Sequence, residues 1–209
     1  VPIPTGELPI PSDCGETSLF PLEVAEGWSF VKLAGSLSNP RQVTVDPLGS
    51  LLVVEVGYGL SVHTFGTDGC LTSSKKLIDR PQLTHSVTLA EDGTKLLVSS
   101  IDTVWRYSYD AATQTVSDEE VVVKDMFRSS HSTRTLVIPP ATPNLLVVSL
   151  GSHTNLDMAS FDPNTGRAIV KVFDLAQLPS GGYSYSTEGW WLGYGLRNEV
   201  ALAVDNNNM

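Results

Sequence analysis

A chain of 209 residues with 41% hydrophobic and 17% charged residues has a globular rather than a disordered composition, and it is long enough for one sizeable core or two small ones. Its 23 acidic against 13 basic residues give a formal net charge of −10; with no basic tract to follow a phosphate backbone, nucleic acid is disfavoured as a partner. No apolar run approaches the roughly 18 to 20 residues that a membrane helix needs.

Residues 1–26 are rich in proline, small and acidic residues and predict an arm laid over the surface. The opening VPIPTGELPIP fits a mature or trimmed secreted protein, so an extracellular location is expected. The two cysteines, Cys14 and Cys70, allow one intrachain pairing. A disulfide there pins the arm to the end of the first repeat and indicates an oxidising compartment; two free thiols are the alternative.

Residues 27–209 form the second unit, and one pattern recurs along it. PRQVTVDPLGSLLVV (40–54), HSVTLAEDGTKLLV (85–98), RTLVIPPATPNLLVV (134–148) and RNEVALAVD (197–205) each begin with an alternating strand, and the first three continue through a turn into an apolar strand. Gly49 and Gly93 lie 44 residues apart, within the range of four-stranded propeller blades. Val, Leu, Thr and Tyr dominate the runs, which predicts an all-β, antiparallel meander; the only helical stretch expected is a turn near Asp174–Leu178. Residues 149–200 read as a long insertion, with a strand-like AIVKVFD followed by a Gly, Tyr and Trp-rich segment. Three repeats plus one strand predict a partial β-propeller, an incomplete copy of a larger ring, with the Asn run before Met209 marking a truncation point, an assembly artefact or a skipped segment.

Each repeat carries a cation at or just before its first strand: Arg41, His85, His131 with Arg134, and Arg197. In a propeller these positions face one axis, so they can converge on an anionic ligand. His131 is a candidate general base or a surface-loop histidine. His85 reads as a ligand contact or as a donor to a neighbouring carbonyl, and Arg41 as a channel cation or as a salt-bridge partner near Glu55. Arg197 offers a planar fork for carboxylates and Asn198 both a donor and an acceptor. Trp190, Trp191 and Tyr194 form either an apolar wall for a flat ring or a cap on the core. In the polar turn Gly151, Ser152, Asn155 and Asp157, the aspartate either orients His131 or Arg134 or ends the strand. There is no Rossmann glycine motif, P-loop, HExxH or paired CxxC, which disfavours nicotinamide and flavin cofactors.

The segments GWSFVKLAGSLSNPRQVTVDPLGSLLVVEVGYGLSV, LTHSVTLAEDGTKLLVSSIDTVWRYSYD, HSTRTLVIPPATPNLLVVSLGSHTNLD and GLRNEVALAVD together resemble the soluble quinoprotein glucose/sorbosone dehydrogenase family, most of all its fungal, secreted pyranose dehydrogenases. The resemblance implies a six-bladed propeller, of which this chain carries about half. It also implies pyrroloquinoline quinone (PQQ) lying on a calcium ion, whose backbone ligands fall beyond residue 209. It further implies oxidation of a sugar at its anomeric carbon or aldehyde hydrate, with an external electron acceptor such as a cytochrome. On this likeness His131 is the base, Arg197 the arginine over the quinone carbonyls and Asp157 a stand-in for the aspartate behind the base. Asn198, His85, Arg41 and Arg134 are cofactor contacts. A metal-dependent sugar lactonase and a non-catalytic binding propeller are the other classes.

Overall fold

A computed structural model describes residues 11, 13–16, 18 and 20–205. The expected truncation mark at residues 206–209 and most of the expected arm, residues 1–10, 12, 17 and 19, lie outside the described residues. Residues 20–39 carry no strand.

Three antiparallel sheets follow in chain order. The first joins β1 (Pro40–Val45), β2 (Leu51–Glu55), β3 (Gly59–Phe65) and β4 (Leu71–Ile78) as a meander. The second joins β5 (Leu83–Ala90), β6 (Lys95–Ser100), β7 (Val104–Asp110) and β8 (Thr115–Lys124) in the same way. The third joins β9 (Leu136–Val137), β10 (Leu145–Leu150), β11 (Ile169–Asp174) and β13 (Trp190–Tyr194). A two-residue strand between them, β12 (Tyr183–Ser184), leaves the third sheet and pairs parallel to β8. The innermost strand β5 packs on β1 and β2, and β9 packs on β5 and β6. This is the all-β arrangement of a partial propeller.

Residues 149–200 are thus less an insertion than the completion of a blade, since β11 and β13 supply its third and fourth strands. They were hard to see because β11 begins only after two short 3₁₀ turns, Met158–Phe161 and Pro163–Thr165. The expected helical stretch is a single 3₁₀ turn, Leu175–Gln177, whose Ala176 amide is met by the Asp174 carboxylate.

Strand alternation builds two cores. Leu96 and Val98 of β6 face the first sheet and pack with Leu52, Val54, Leu60 and Val62. Leu97, between them, faces the third sheet and packs with Leu136, Leu146, Val148 and Phe173. The turns follow the sequence signals. Asp46 Oδ1 accepts from the amides of Leu48 and Ser50, which leaves Gly49 to take a left-handed φ of 87°. Gly93 has φ 88° as well, and a Cβ there would meet Pro47 Cγ at 2.2 Å, so the second turn also needs glycine to sit against the first.

Three buried serines tie the inner strands together. Ser99 Oγ accepts from Ser86 N at 3.0 Å and donates to the carbonyl of Arg134, in the next repeat, at 2.8 Å. Ser149 Oγ repeats the device, accepting from Thr135 N at 3.1 Å and donating to Glu199 O at 3.4 Å. Ser86 Oγ accepts from Leu136 N at 3.0 Å and donates to Gln42 Oε1, joining β5 to β9 and to β1. The pairing of Cys14 with Cys70 is present, with Cα atoms 5.4 Å apart and 56 residues between them in sequence.

Two expectations follow. Ser99→Ala removes one acceptor and one donor from buried backbone groups and is expected to cost about 1–3 kcal/mol in urea unfolding, whereas the exposed Ser117→Ala leaves the midpoint unchanged. The double substitution Cys14→Ser/Cys70→Ser is expected to lower stability by up to about 4 kcal/mol, the chain-entropy value for a loop of this length; an unaltered thermal midpoint would count against the arm being fastened there.

Candidate active site

The alternating strand expected at 197–205 does not form, because the segment after β13 has no ladder partner among the described residues; it runs across the inner edge instead, and residues 197–200 are held by groups from two repeats. Ser152 N donates to Arg197 O at 2.7 Å, Thr133 Oγ1 to Asn198 Oδ1 at 2.5 Å and Thr135 Oγ1 to Glu199 O at 2.9 Å. His85 Nε2 donates to Val200 O at 2.8 Å from the second sheet. Gly151 makes this crossing possible: a Cβ at that position would lie 2.3 Å from Arg197 O and 3.1 Å from Asn198 Cα.

His131 stands in the segment between β8 and β9. Its Nδ1 donates to the carbonyl of Ser152 at 2.9 Å, which orients the ring and turns Nε2 toward the loop that carries Asn155. Nε2 lies 3.1 Å from Asn155 Oδ1, and Arg197 Nη1 lies 2.6 Å from the same oxygen. The fold therefore brings His131 and Arg197, expected from separate repeats, into one hydrogen-bonded cluster, with Asn198 on the same crossing segment and His85 bonded to that segment from β5. Asn155 is the residue that the sequence did not single out. It was visible only as one polar residue of a turn, and nothing local marks which side chains from distant repeats will reach it.

Three expectations are corrected. Asp157 touches neither His131 nor Arg134; its carboxylate accepts from His153 N at 2.6 Å and from Arg167 Nη1 at 3.0 Å. Burial opposes its ionisation, but the His153 amide and the Arg167 guanidinium hold its carboxyl below the usual range. Arg134 is 0% exposed, and its guanidinium donates to the carbonyls of Phe127, His131 and Thr133 and to Ser129 Oγ, so it braces the loop under His131 instead of reaching a cofactor. Burial pushes it down to about 10, still charged at neutral pH. Trp190, Trp191 and Tyr194 lie on β13, the outermost strand of its sheet and the farthest from β9, so they do not wall an inner site.

Arg41 has no hydrogen bond or ion-pair partner among the described residues; Glu55, its other expected partner, accepts from Ser38 N and Ser61 Oγ. Arg41 lines a cleft of about 310 Å³ with Gln42, His85, Thr135 and Val200–Leu202. His85 is 4% exposed with Nδ1 unpartnered. Burial lowers its pKa, the Val200 carbonyl opposes this, and the charges of Arg41 and Arg134 add to it.

The family described as TrAA12-like matches residues 22–209. The chain belongs to that family. It is 40% identical over 187 residues to a PQQ-dependent pyranose dehydrogenase of Coprinopsis cinerea, a match that covers 89% of this chain and 26% of the relative. The solved holo form of the PQQ domain of a Coprinopsis cinerea pyranose dehydrogenase superposes with a TM-score of 0.89 at 38% identity, covering 92% of this chain and 48% of that one. A calcium structure of a Trichoderma reesei family AA12 enzyme superposes at 0.78 and 31% identity, covering 83% and 45%. The chain thus spans about a quarter of the curated relative's length and about half of the solved domain's. The resemblance carried by the repeat motifs from Gly27 to Asp205 is borne out.

The depressed His85 pKa has a pH signature. The folded state disfavours the protonated imidazole, so this contribution to stability is full above the unfolded value of 6.5 and is lost as pH falls from there toward the lower folded value. His63, also lowered by burial, adds in the same sense, whereas burial raises Glu199, whose contribution is present at low pH and fades as pH rises from 4.5. The difference between wild type and His85→Gln in denaturant midpoint is therefore expected to shrink as pH is lowered below about 6.5. A difference that stays constant with pH would show that His85 is not held neutral.

Proposed function

We propose that the chain is the part of a PQQ-dependent sugar oxidoreductase that carries the catalytic base, corresponding to about half of a six-bladed propeller. The single observation that carries this reading is the His131 imidazole, anchored through Nδ1 on the Ser152 carbonyl and gathered with Arg197 around one amide oxygen.

The residues present fit an anionic quinone. Arg41 and Arg197 have donor capacity beyond the protein contacts described, and the buried Nδ1 of His85 lacks a partner beside the cleft that Arg41 lines. Arg41, Arg197 and Asn198 are the groups that would hold the cofactor's carboxylates and carbonyls, while His85, whose Nε2–H is used on Val200 O, would present Nδ1 as an acceptor to a donor group of the cofactor. When bound, the quinone supplies the hydride acceptor. Everything else is the protein's part: Nε2 of His131 takes the hydroxyl proton of the sugar, and Arg197 places a fixed positive charge beside the base. Calcium fits less well on this chain alone, since among the described residues no group of three or more His, Cys, Asp or Glu side chains assembles a metal site. Its ligands are assigned to the remainder of the ring.

The substrate is a sugar with an oxidisable anomeric hydroxyl or aldehyde hydrate, the onward electron acceptor is a protein such as a cytochrome, and the site of action is extracellular. The Cys14–Cys70 bond supports that location.

In the full-length protein reconstituted with quinone and calcium, His131→Ala is expected to abolish dye reduction across a sugar panel while the quinone absorbance stays with the protein. Full turnover by His131→Ala would remove it as the base. Lactone hydrolysis without quinone would favour the lactonase reading.

A further inference from the structure

We propose that Asn155 is a positioning residue that couples the base to the arginine: its carboxamide oxygen receives the Nε2–H of His131 once that nitrogen has taken the substrate proton, and it holds the Arg197 guanidinium at the same time. The proposal rests on His131 being the base.

Donor arithmetic fixes the arrangement. A guanidinium has donors only, so the Asn155 atom 2.6 Å from Arg197 Nη1 is the carbonyl oxygen and not the amide nitrogen. The same oxygen lies 3.1 Å from His131 Nε2, and two groups bonded at that distance need one hydrogen between them, which an amide oxygen cannot supply. Nε2 must therefore carry it. Since Nδ1 already donates to Ser152 O at 2.9 Å, the geometry is that of the imidazolium, the form the base adopts after proton abstraction. His131 and Arg197 share no direct bond; the Asn155 oxygen is the atom common to both.

The loop that presents Asn155 is tied at its backbone. His153 N donates to Asp157, which is paired with Arg167, and His153 O accepts from Ser130 N at 3.1 Å and from Ser130 Oγ. Ser152 Oγ donates to Thr154 O at 2.8 Å, and Thr154 Oγ1 to Leu156 O at 3.1 Å. Asp157, which the sequence placed behind the base, therefore acts one step removed, by holding the turn that carries the asparagine.

In the oxidation itself, the O–H bond of the sugar hydroxyl breaks and its proton goes to Nε2. The hydrogen on the same carbon leaves with its electron pair to the quinone oxidant, and the C=O bond forms. Asn155 makes and breaks no covalent bond. It gives the new Nε2–H an acceptor other than the product oxygen, and it keeps the arginine from swinging into solvent.

The test has two arms. In the labelled 209-residue chain without cofactor, long-range ¹⁵N–¹H spectra of the His131 ring at mildly acidic pH are expected to show a solvent-shielded Nε2–H. This signal is expected to be lost in Asn155→Ala and retained in Asn155→Asp, which keeps an acceptor oxygen. Position 155 is exposed, so both variants are expected to keep the wild-type backbone spectrum. In the quinone-loaded full-length enzyme, Asn155→Ala is expected to lower kcat about tenfold to a hundredfold with KM within about twofold, and Asn155→Asp to recover most of it. An Nε2–H signal unchanged in Asn155→Ala overturns the proposal whatever the turnover, and so does unchanged kcat in that variant when His131→Ala is inactive. If His131→Ala keeps its turnover, the base assignment fails and this role fails with it; loss of the signal in Asn155→Ala would then identify a hydrogen bond that exists but serves no proton transfer.

Discussion

The structure depends on hydroxyl groups at the inner edge that join neighbouring repeats. Each sheet presents its innermost strand to the next, and such strands have backbone groups without ladder partners on the side that faces the axis. Ser99 and Ser149, at matching places on β6 and β10, meet this need twice over: each accepts an amide from its own repeat and donates to a carbonyl of the next. A hydroxyl suits the position because it is donor and acceptor at once; alanine, valine or an ionised carboxylate could do only part of this. Ser86 then carries the chain of bonds across to Gln42.

The site sits where this network ends. The carbonyl that Ser149 and Thr135 capture belongs to Glu199, so the same bonds that close the third repeat also place Arg197 and Asn198. The positions of the cations are consequences of blade-to-blade stapling and not of any local loop preference. It also explains why Arg134 is unavailable to a ligand. It occupies the place in its repeat that His85 occupies one sheet earlier, but its guanidinium is consumed in satisfying carbonyls of residues 127–133. Removing it would orphan several buried acceptors, which is a structural cost.

The repeats, the all-β class, the glycine turns and the convergence of His131 with Arg197 were legible because they rest on periodicity and on motif order, both carried in the chain itself. That each repeat carries a cation at or just before its first strand was legible too, but not the different fates of His85 and Arg134, because these depend on which loop lies beneath each. Asp157 illustrates the limit. An aspartate in the polar turn after an inner strand looks like the partner of the base, yet Arg167, reached only after two 3₁₀ turns, is the cation it pairs with. Trp190 and Trp191 misled for the same reason: aromatic content marks a strand without saying how far from the axis that strand will lie.

The short parallel pairing of β12 on β8 gives the molecule an uneven texture. Residues of the third repeat, Tyr183 and Ser184, add a rung to the outer edge of the second, and Tyr185 buries its ring in the core between them while its hydroxyl bonds Ile169 O at 2.7 Å. The second and third repeats are thereby interlocked, each contributing chain to the other's sheet or core, so that neither can open without tearing the other. Among the described residues the first repeat has no such exchange of strands; it meets the second where β1 and β2 pack on β5. Amide exchange is accordingly expected to divide the described residues into one double-width cooperative block bearing the His131–Arg197 cluster and one single blade that loosens beside it.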